Sequence, residues 1–200
     1  MELGNALEVS RIETNVYFVR HAESLYITGE ERSRGLTERG RVDAITVKDI
    51  LLHEPVDLLI SSPYERAVLT IRELADHLRK EIVPEEDLRE RQLSGGDFFL
   101  PNDRFIQSKK QLYDDPTFAF PGGESSEQAQ ERAVKVLARY LEQYSGRSIV
   151  VGTHGDIMTL MLNYFVPSYH FDFWESTTMP DIYKLEFQGK ALSNVMRLWK

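Results

Sequence analysis

Hydrophobic positions recur along this chain with two different periods. Runs at Asn15–Val19, Asp57–Ser61 and Ser148–Gly152 are apolar at almost every position and rich in Val and Ile. That is the pattern of short strands covered on both faces of a parallel sheet. Ile182–Phe187 and Ala191–Trp199 alternate instead, and Gln188-Gly189-Lys190 between them predicts a terminal hairpin. Between the strands the period lengthens to that of a helix. Ala67, Ile71, Leu74, Ala75 and Leu78 form one apolar stripe behind Ser62-Pro63-Tyr64-Glu65, which reads as a capping box with Pro at the first helical position. A second box, Ser125 to Gln128, precedes Ala129, Ala133, Val136, Leu137, Tyr140 and Leu141. Thr37 is placed to cap a third helix running to about His53. Strands alternating with helices predict an α/β fold, a three-layer α/β/α arrangement around a mostly parallel central sheet.

One segment breaks the rhythm. Arg91 to Pro121 holds Gly95-Gly96, three prolines and the aromatics Phe98, Phe99, Phe105, Tyr113, Phe118 and Phe120. It is too long for a plain connection, so a partly helical, aromatic insertion over the C-terminal edge of the strands is expected. Its rings either form a small satellite core or line the mouth of a pocket; Arg104, Lys109 and Lys110 could greet a second anionic group there. No internal repeat, low-complexity tract or linker interrupts the chain, and residues 1–200 read as one domain with 91–121 as its cap.

Composition narrows the chemistry. The 200 residues carry a formal net charge of −8, which argues against nucleic acid or an anionic membrane as partner. Any cationic pocket would stand out against that background. The absence of cysteine removes thiol catalysis, disulfides and cysteine metal sites. MELGNALEVSRIE lacks a basic region followed by an apolar one, and no apolar run reaches the ~18 residues of a membrane span. The expectation is a soluble, cytoplasmic protein.

Reactive residues collect where the strands end. Ligands of open α/β sheets bind beyond the carboxyl ends of the strands. Arg20-His21 follow the first strand, Ser61-Ser62 end the second with Arg66 a turn later, and Thr153-His154-Gly155-Asp156 follow the third. Two arginines and two histidines should therefore converge on one edge. Each has a plainer reading alone: an Arg-His pair or a His-Gly turn is commonly structural, and Arg66 could pair with Glu65 or Glu73 on a solvated helix face. Together they suit a phosphate, which arginine binds bidentately, and a histidine among arginines stays neutral and nucleophilic. His53 and His77 read as exposed helix-end residues. His170, among Tyr169, Phe171, Phe173 and Trp174, reads as packing.

The segments VRHAES (Val19–Ser24), GLTERGRVDA (Gly35–Ala44), SSPYERAVLTI (Ser61–Ile71), LRE (Leu88–Glu90), PGGES (Pro121–Ser125) and VGTHGDIM (Val151–Met158) resemble, in order, the motifs of the histidine phosphatase superfamily. This is the branch of phosphoglycerate mutases and broad-specificity phosphatases. The resemblance implies that His21 is the nucleophile and becomes a phosphohistidine. It implies that Arg20, Arg66 and His154 hold the phosphoryl group, and that Ser24 places a hydroxyl beside it. Glu90 matches the carboxyl that protonates the leaving oxygen and then activates water. By composition alone Glu90, among Glu85, Glu86 and Asp87, would read as solvated surface; its position just before the aromatic insertion, which could cover it and raise its pKa, is the physical support. The scheme needs no metal and no cofactor.

A hydrolase, a phosphomutase and a non-catalytic phosphate-binding adaptor compete on these motifs. The complete set of reactive residues disfavours the adaptor. Mutases of the family follow RHG with a Trp-Asn pair, where this chain has Tyr26 and Ile27, and Ala22 replaces the Gly. The expectation is a phosphomonoester phosphatase acting on small phosphorylated metabolites, with a homodimer compatible with the resemblance.

Overall fold

A computed structural model describes residues 13–27, 29–95 and 102–200. The N-terminal segment and Gly96, Phe98 and Phe99 of the insertion lie outside the described residues. In chain order the elements are β1 (Glu13–Arg20), α1 (Glu38–Leu51), β2 (Leu58–Ser61), α2 (Glu65–Leu78), β3 (Ile82–Pro84), α3 (Phe105–Asp114), α4 (Ser126–Gln143), β4 (Ser148–Thr153), α5 (Gly155–Phe165), α6 (Phe171–Ser176), β5 (Asp181–Gln188) and β6 (Ala191–Arg197), with short 3₁₀ turns at 86–88 and 102–104.

The strands form one six-stranded sheet in the order β3-β2-β4-β1-β5-β6. The first four positions run parallel, and β5 and β6 are antiparallel to their neighbours. The apolar runs explain this division. Every residue of β4 is buried, as a central parallel strand requires, whereas the outward half of β6 faces water. In β1, Val16 and Phe18 join α4, α5 and α6 in one core, while Tyr17 and Val19 join α1 and α2 in another. Successive side chains of one strand thus feed two helical layers, which gives the expected α/β/α sandwich. Each large apolar side chain so buried contributes about 1.5–3 kcal/mol.

Side-chain caps start two of the helices. Thr37 Oγ1 accepts from Gly40 N, and α1 stops at Leu51, two residues before the expected His53. The capping box at Ser125 forms in full, with Gln128 returning to the Ser125 backbone. The box expected at Ser62 does not form. α2 starts at Glu65 behind Tyr64, which makes no side-chain cap, and Pro63 lies outside the helix. The Ser62 hydroxyl accepts from Tyr64 N and meets His154, while Glu65 N, the donor such a box would use, goes to Arg32 O at 2.9 Å. β3 escaped the pattern reading because it is a three-residue edge strand with exposed Val83 and Pro84, too short and too polar in context to show a period. The terminal hairpin turns at Gly189, whose φ of 61° suits glycine, and β6 ends at Arg197, two residues short of Trp199.

Candidate active site

Sheet register brings the reactive residues together. Arg20 of β1 lies opposite Thr153 of β4, and Ser61 of β2 lies opposite Gly152. The backbone continues this alignment past the strands, with His21 N donating to Thr153 O at 3.0 Å and Ser62 N to Gly152 O at 2.9 Å. His21 and His154 each follow a paired residue by one step, so two rings 133 positions apart in sequence come together with centroids 5.3 Å apart. A cavity of about 810 Å³ opens at this edge, and its lining includes Arg20, His21, Ser24, Arg66 and Glu90. His154 lies fully buried behind His21.

The His21 ring is fixed in one tautomer. Its Nδ1 lies 2.8 Å from Ala22 O, and a carbonyl can only accept, so Nδ1 carries the proton and Nε2 keeps its lone pair. Ala22 is itself held, its N–H donating to Thr70 Oγ1 at 2.9 Å. Burial first, then the neighbouring Arg66, holds the His21 pKa well below that of free imidazole. His154 is depressed in the same way, by burial and then by His21. Its Nε2 meets Ser62 Oγ at 2.7 Å, while its buried Nδ1 has no hydrogen-bond partner among the described residues. Tyr64 packs edge-on against the His154 ring at 5.2 Å.

Two guanidiniums flank the imidazoles. Arg20 donates from Nη1 to Thr177 O at 3.1 Å and to Thr177 Oγ1, and its buried Nε has no hydrogen-bond partner among the described residues. It lies so close to the start of α5 that a Cβ on Gly155 would sit 2.9 Å from Arg20 Cζ. Glycine there is a condition for the arginine's position. Arg66 is 1% exposed, in the first turn of α2, and does not pair with Glu65 or Glu73. It donates to Glu31 O and stacks its guanidinium over Tyr64 at 4.9 Å.

Glu90 closes the far wall. One carboxylate oxygen accepts from Arg91 N at 2.9 Å, and the two oxygens face the N–H groups of Asp156 and Ile157 at 3.4 and 3.3 Å. The amides at the start of α5 are therefore turned toward Glu90. Burial, and then Asp156, raises the Glu90 pKa above the usual carboxylate range. Behind it Asp156, fully buried, binds Lys109, Arg91 (Nη2 at 3.2 Å) and Tyr113 OH at 2.9 Å. Burial opposes this charge, but Lys109 and Arg91 outweigh it and hold the Asp156 pKa down to about 2.

The insertion reaches the site through α3. Phe105 and Lys109 line the cavity together with Trp174, whose ring lies 4.8 Å from Lys109 Nζ. Tyr113 is buried, Phe118 and Phe120 pair with each other at 4.9 Å, and the exposed Lys110 binds Asp114. The insertion is thus part satellite core and part pocket wall. His170 packs against Tyr113 and meets its carbonyl at 3.0 Å.

The site also contains residues that pattern reading passed over. Thr177, Arg34 and Trp174 carry no motif signal, and Tyr64, inside SSPYERAVLTI, reads only as part of a capping box. Asp156 did carry one, since a carboxylate one residue into an otherwise apolar helix needs a buried partner.

Paired imidazoles and guanidiniums near the strand ends, with a buried carboxyl of raised pKa beside them, fit a phosphatase enzyme of the histidine-dependent class. The chain belongs to the histidine phosphatase superfamily (branch 1), whose family model matches residues 16–197. The fold is also that of several solved structures. A mycobacterial glucosyl-3-phosphoglycerate phosphatase is 20% identical, with a TM-score of 0.70 over 92% of this chain and 97% of that one. The Bacillus stearothermophilus protein YhfR is 24% identical, with a TM-score of 0.71 over 90% and 94%. A mutant phosphoserine phosphatase of Entamoeba histolytica, in complex with phosphoserine, is 19% identical, with a TM-score of 0.72 over 91% and 96%. No curated protein matches the sequence.

Proposed function

We propose that the protein is a phosphomonoester phosphatase that works through a phosphohistidine on His21 and acts on small phosphorylated metabolites. The observation that carries this reading is the His21 ring itself: a buried, neutral imidazole whose Nδ1–H is tied to Ala22 O, leaving Nε2 free at a pocket lined by arginines.

On this reading Arg20 and Arg66 take the phosphoryl oxygens, with His154 and Ser24 beside them. Nε2 of His21 attacks phosphorus as the ester oxygen leaves, and Glu90, whose pKa is raised by burial, gives that oxygen its proton. The resulting Glu90 carboxylate then takes a proton from water, whose oxygen attacks the phosphohistidine to release phosphate and restore both groups. Most of the rate enhancement comes from position and from fixed positive charge. The insertion from 91 to 121, which supplies Phe105 and Lys109, serves as the cap of this site.

The named substrates of the structural relatives, glucosyl-3-phosphoglycerate and phosphoserine, are small polar phosphomonoesters and support the same class here. A panel of phosphorylated metabolites, assayed for released phosphate beside a phosphoglycerate mutase assay, tests the proposal. Phosphate release without interconversion of phosphoglycerates is expected. Interconversion without release would make the chain a mutase.

A further inference from the structure

The turn between Ser24 and Leu36 puts into the cavity an acidic side chain that the proposed chemistry leaves unused. Glu31 Oε2 lies 3.2 Å from Arg34 Nη2 and 3.5 Å from Arg66 Nη2, and the Glu31 carbonyl accepts from Arg66 Nη1. Two guanidiniums therefore meet at one carboxylate oxygen. After burial, the nearness of Arg34 is the main influence lowering the Arg66 pKa, so the pair gains from an anion between them.

Exposure is unequal across this contact. The side chain of Arg66 is 1% exposed and that of Arg34 14%, whereas Glu31 is 53% exposed. The cations are built into the wall, Arg34 lying over the Tyr26 ring at 5.8 Å, and the anion reaches in from the solvent side. The buried Nε atoms of both arginines have no hydrogen-bond partner among the described residues. A carboxylate held by two fixed guanidiniums at the margin of a ligand cavity occupies the place of a ligand oxyanion.

We propose that Arg34 joins Arg66 as the oxyanion receptor of the pocket, and that Glu31 fills this receptor until an acidic group of the ligand displaces it. The inference rests on the phosphatase reading, which supplies a ligand bearing such a group. The displacing oxyanion is either the reacting phosphoryl group or a second acidic group on the same molecule.

The test measures the dissociation constant of inorganic phosphate by calorimetry on the intact enzyme. It adds kcat/KM for phenyl phosphate and 4-carboxyphenyl phosphate. Glu31→Gln, which removes a half-exposed competitor, should improve phosphate binding or carboxyphenyl phosphate turnover by about two- to fivefold. Misfolding cannot mimic such a gain. Arg34→Gln, with an unchanged melting temperature, should lose about tenfold or more. A loss shared by phosphate and both esters identifies the phosphoryl group as the displacing anion. A loss confined to the carboxyphenyl ester identifies a second acidic group. No gain from Glu31→Gln, or no loss from Arg34→Gln on any of the three probes, overturns the proposal. Failure of the phosphatase reading looks different: the unaltered enzyme would release phosphate from neither ester, while the phosphate titrations could still be scored.

Discussion

Asp156 is the side chain whose loss the fold should feel most. It is fully buried and binds Lys109, Arg91 and Tyr113 at once. Asp156→Asn keeps the shape and removes the charge, leaving a buried ammonium and a buried guanidinium with Glu90 as the remaining nearby carboxyl. Removing one member of a buried ion pair costs about 3–5 kcal/mol. In a chain of this length each kcal/mol moves the melting temperature by about 2–4 °C, so a fall of roughly 6–20 °C is expected. Lys109→Met should cost less, about 2 kcal/mol or below, because Asp156 keeps Arg91 and Tyr113 while the methionine packs against Trp174. In the Asp156→Asn background, Lys109→Met should recover about 1 kcal/mol by removing an uncompensated charge. Urea unfolding of the four proteins measures all three quantities. Ionisation adds a pH signature. The folded pKa of about 2 lies below the ordinary 3.8, so this stabilisation, about 2 kcal/mol, is complete above pH ~4 and is lost as pH falls from there toward ~2. Asp156→Asn within about 0.5 kcal/mol of the unaltered protein, or Lys109→Met adding to its cost, would refute the reasoning.

Two further outcomes concern catalysis. Glu90→Gln should slow phosphorylation by alkyl phosphates by about 10²–10⁴-fold and by nitrophenyl phosphate far less, since nitrophenolate needs no proton. Because burial raises the Glu90 pKa, alkyl ester phosphorylation should persist above the ordinary carboxylate range, then fall as pH rises through the raised pKa. The Gln variant should lose that limb in a single-turnover pH series. Gly155→Ala puts a Cβ 2.9 Å from Arg20 Cζ, so it should lower kcat/KM by about 10–100-fold while the melting temperature holds. An unchanged kcat/KM would release Arg20 from its assigned place.

Pattern reading reached the parts of this molecule that depend on local period and on strand-end position. The continuous apolar runs became β1, β2 and β4, and parallel register then carried His21 and His154 to one edge. Motif order made the family recognisable across most of the chain. What stayed hidden depends on three-dimensional competition for polar groups. Ser62 reads as the cap of a box with Glu65 until Glu65 N is seen to donate to Arg32 O and the Ser62 hydroxyl to meet His154. Glu90 reads as surface until its carboxylate is seen against the start of α5. Lys109 looked like one of several loop cations. Only the docking of α3 against α5 shows it buried on Asp156, while its neighbour Lys110 stays in solvent with Asp114. Arg34 follows a turn with no periodic signal, and its meeting with Arg66 arises from the path of the loop.

The central claim is that His21 Nε2 carries the phosphoryl group between substrate and water. Rapid quenching of the enzyme with a ³²P-labelled phosphomonoester tests it directly. The account predicts acid-labile, base-stable label on His21 within one turnover. It also predicts that His21→Ala forms none and loses at least about a thousandfold in turnover, roughly 4 kcal/mol of transition-state stabilisation. Full turnover by His21→Ala, or label mapped to another residue, would contradict it.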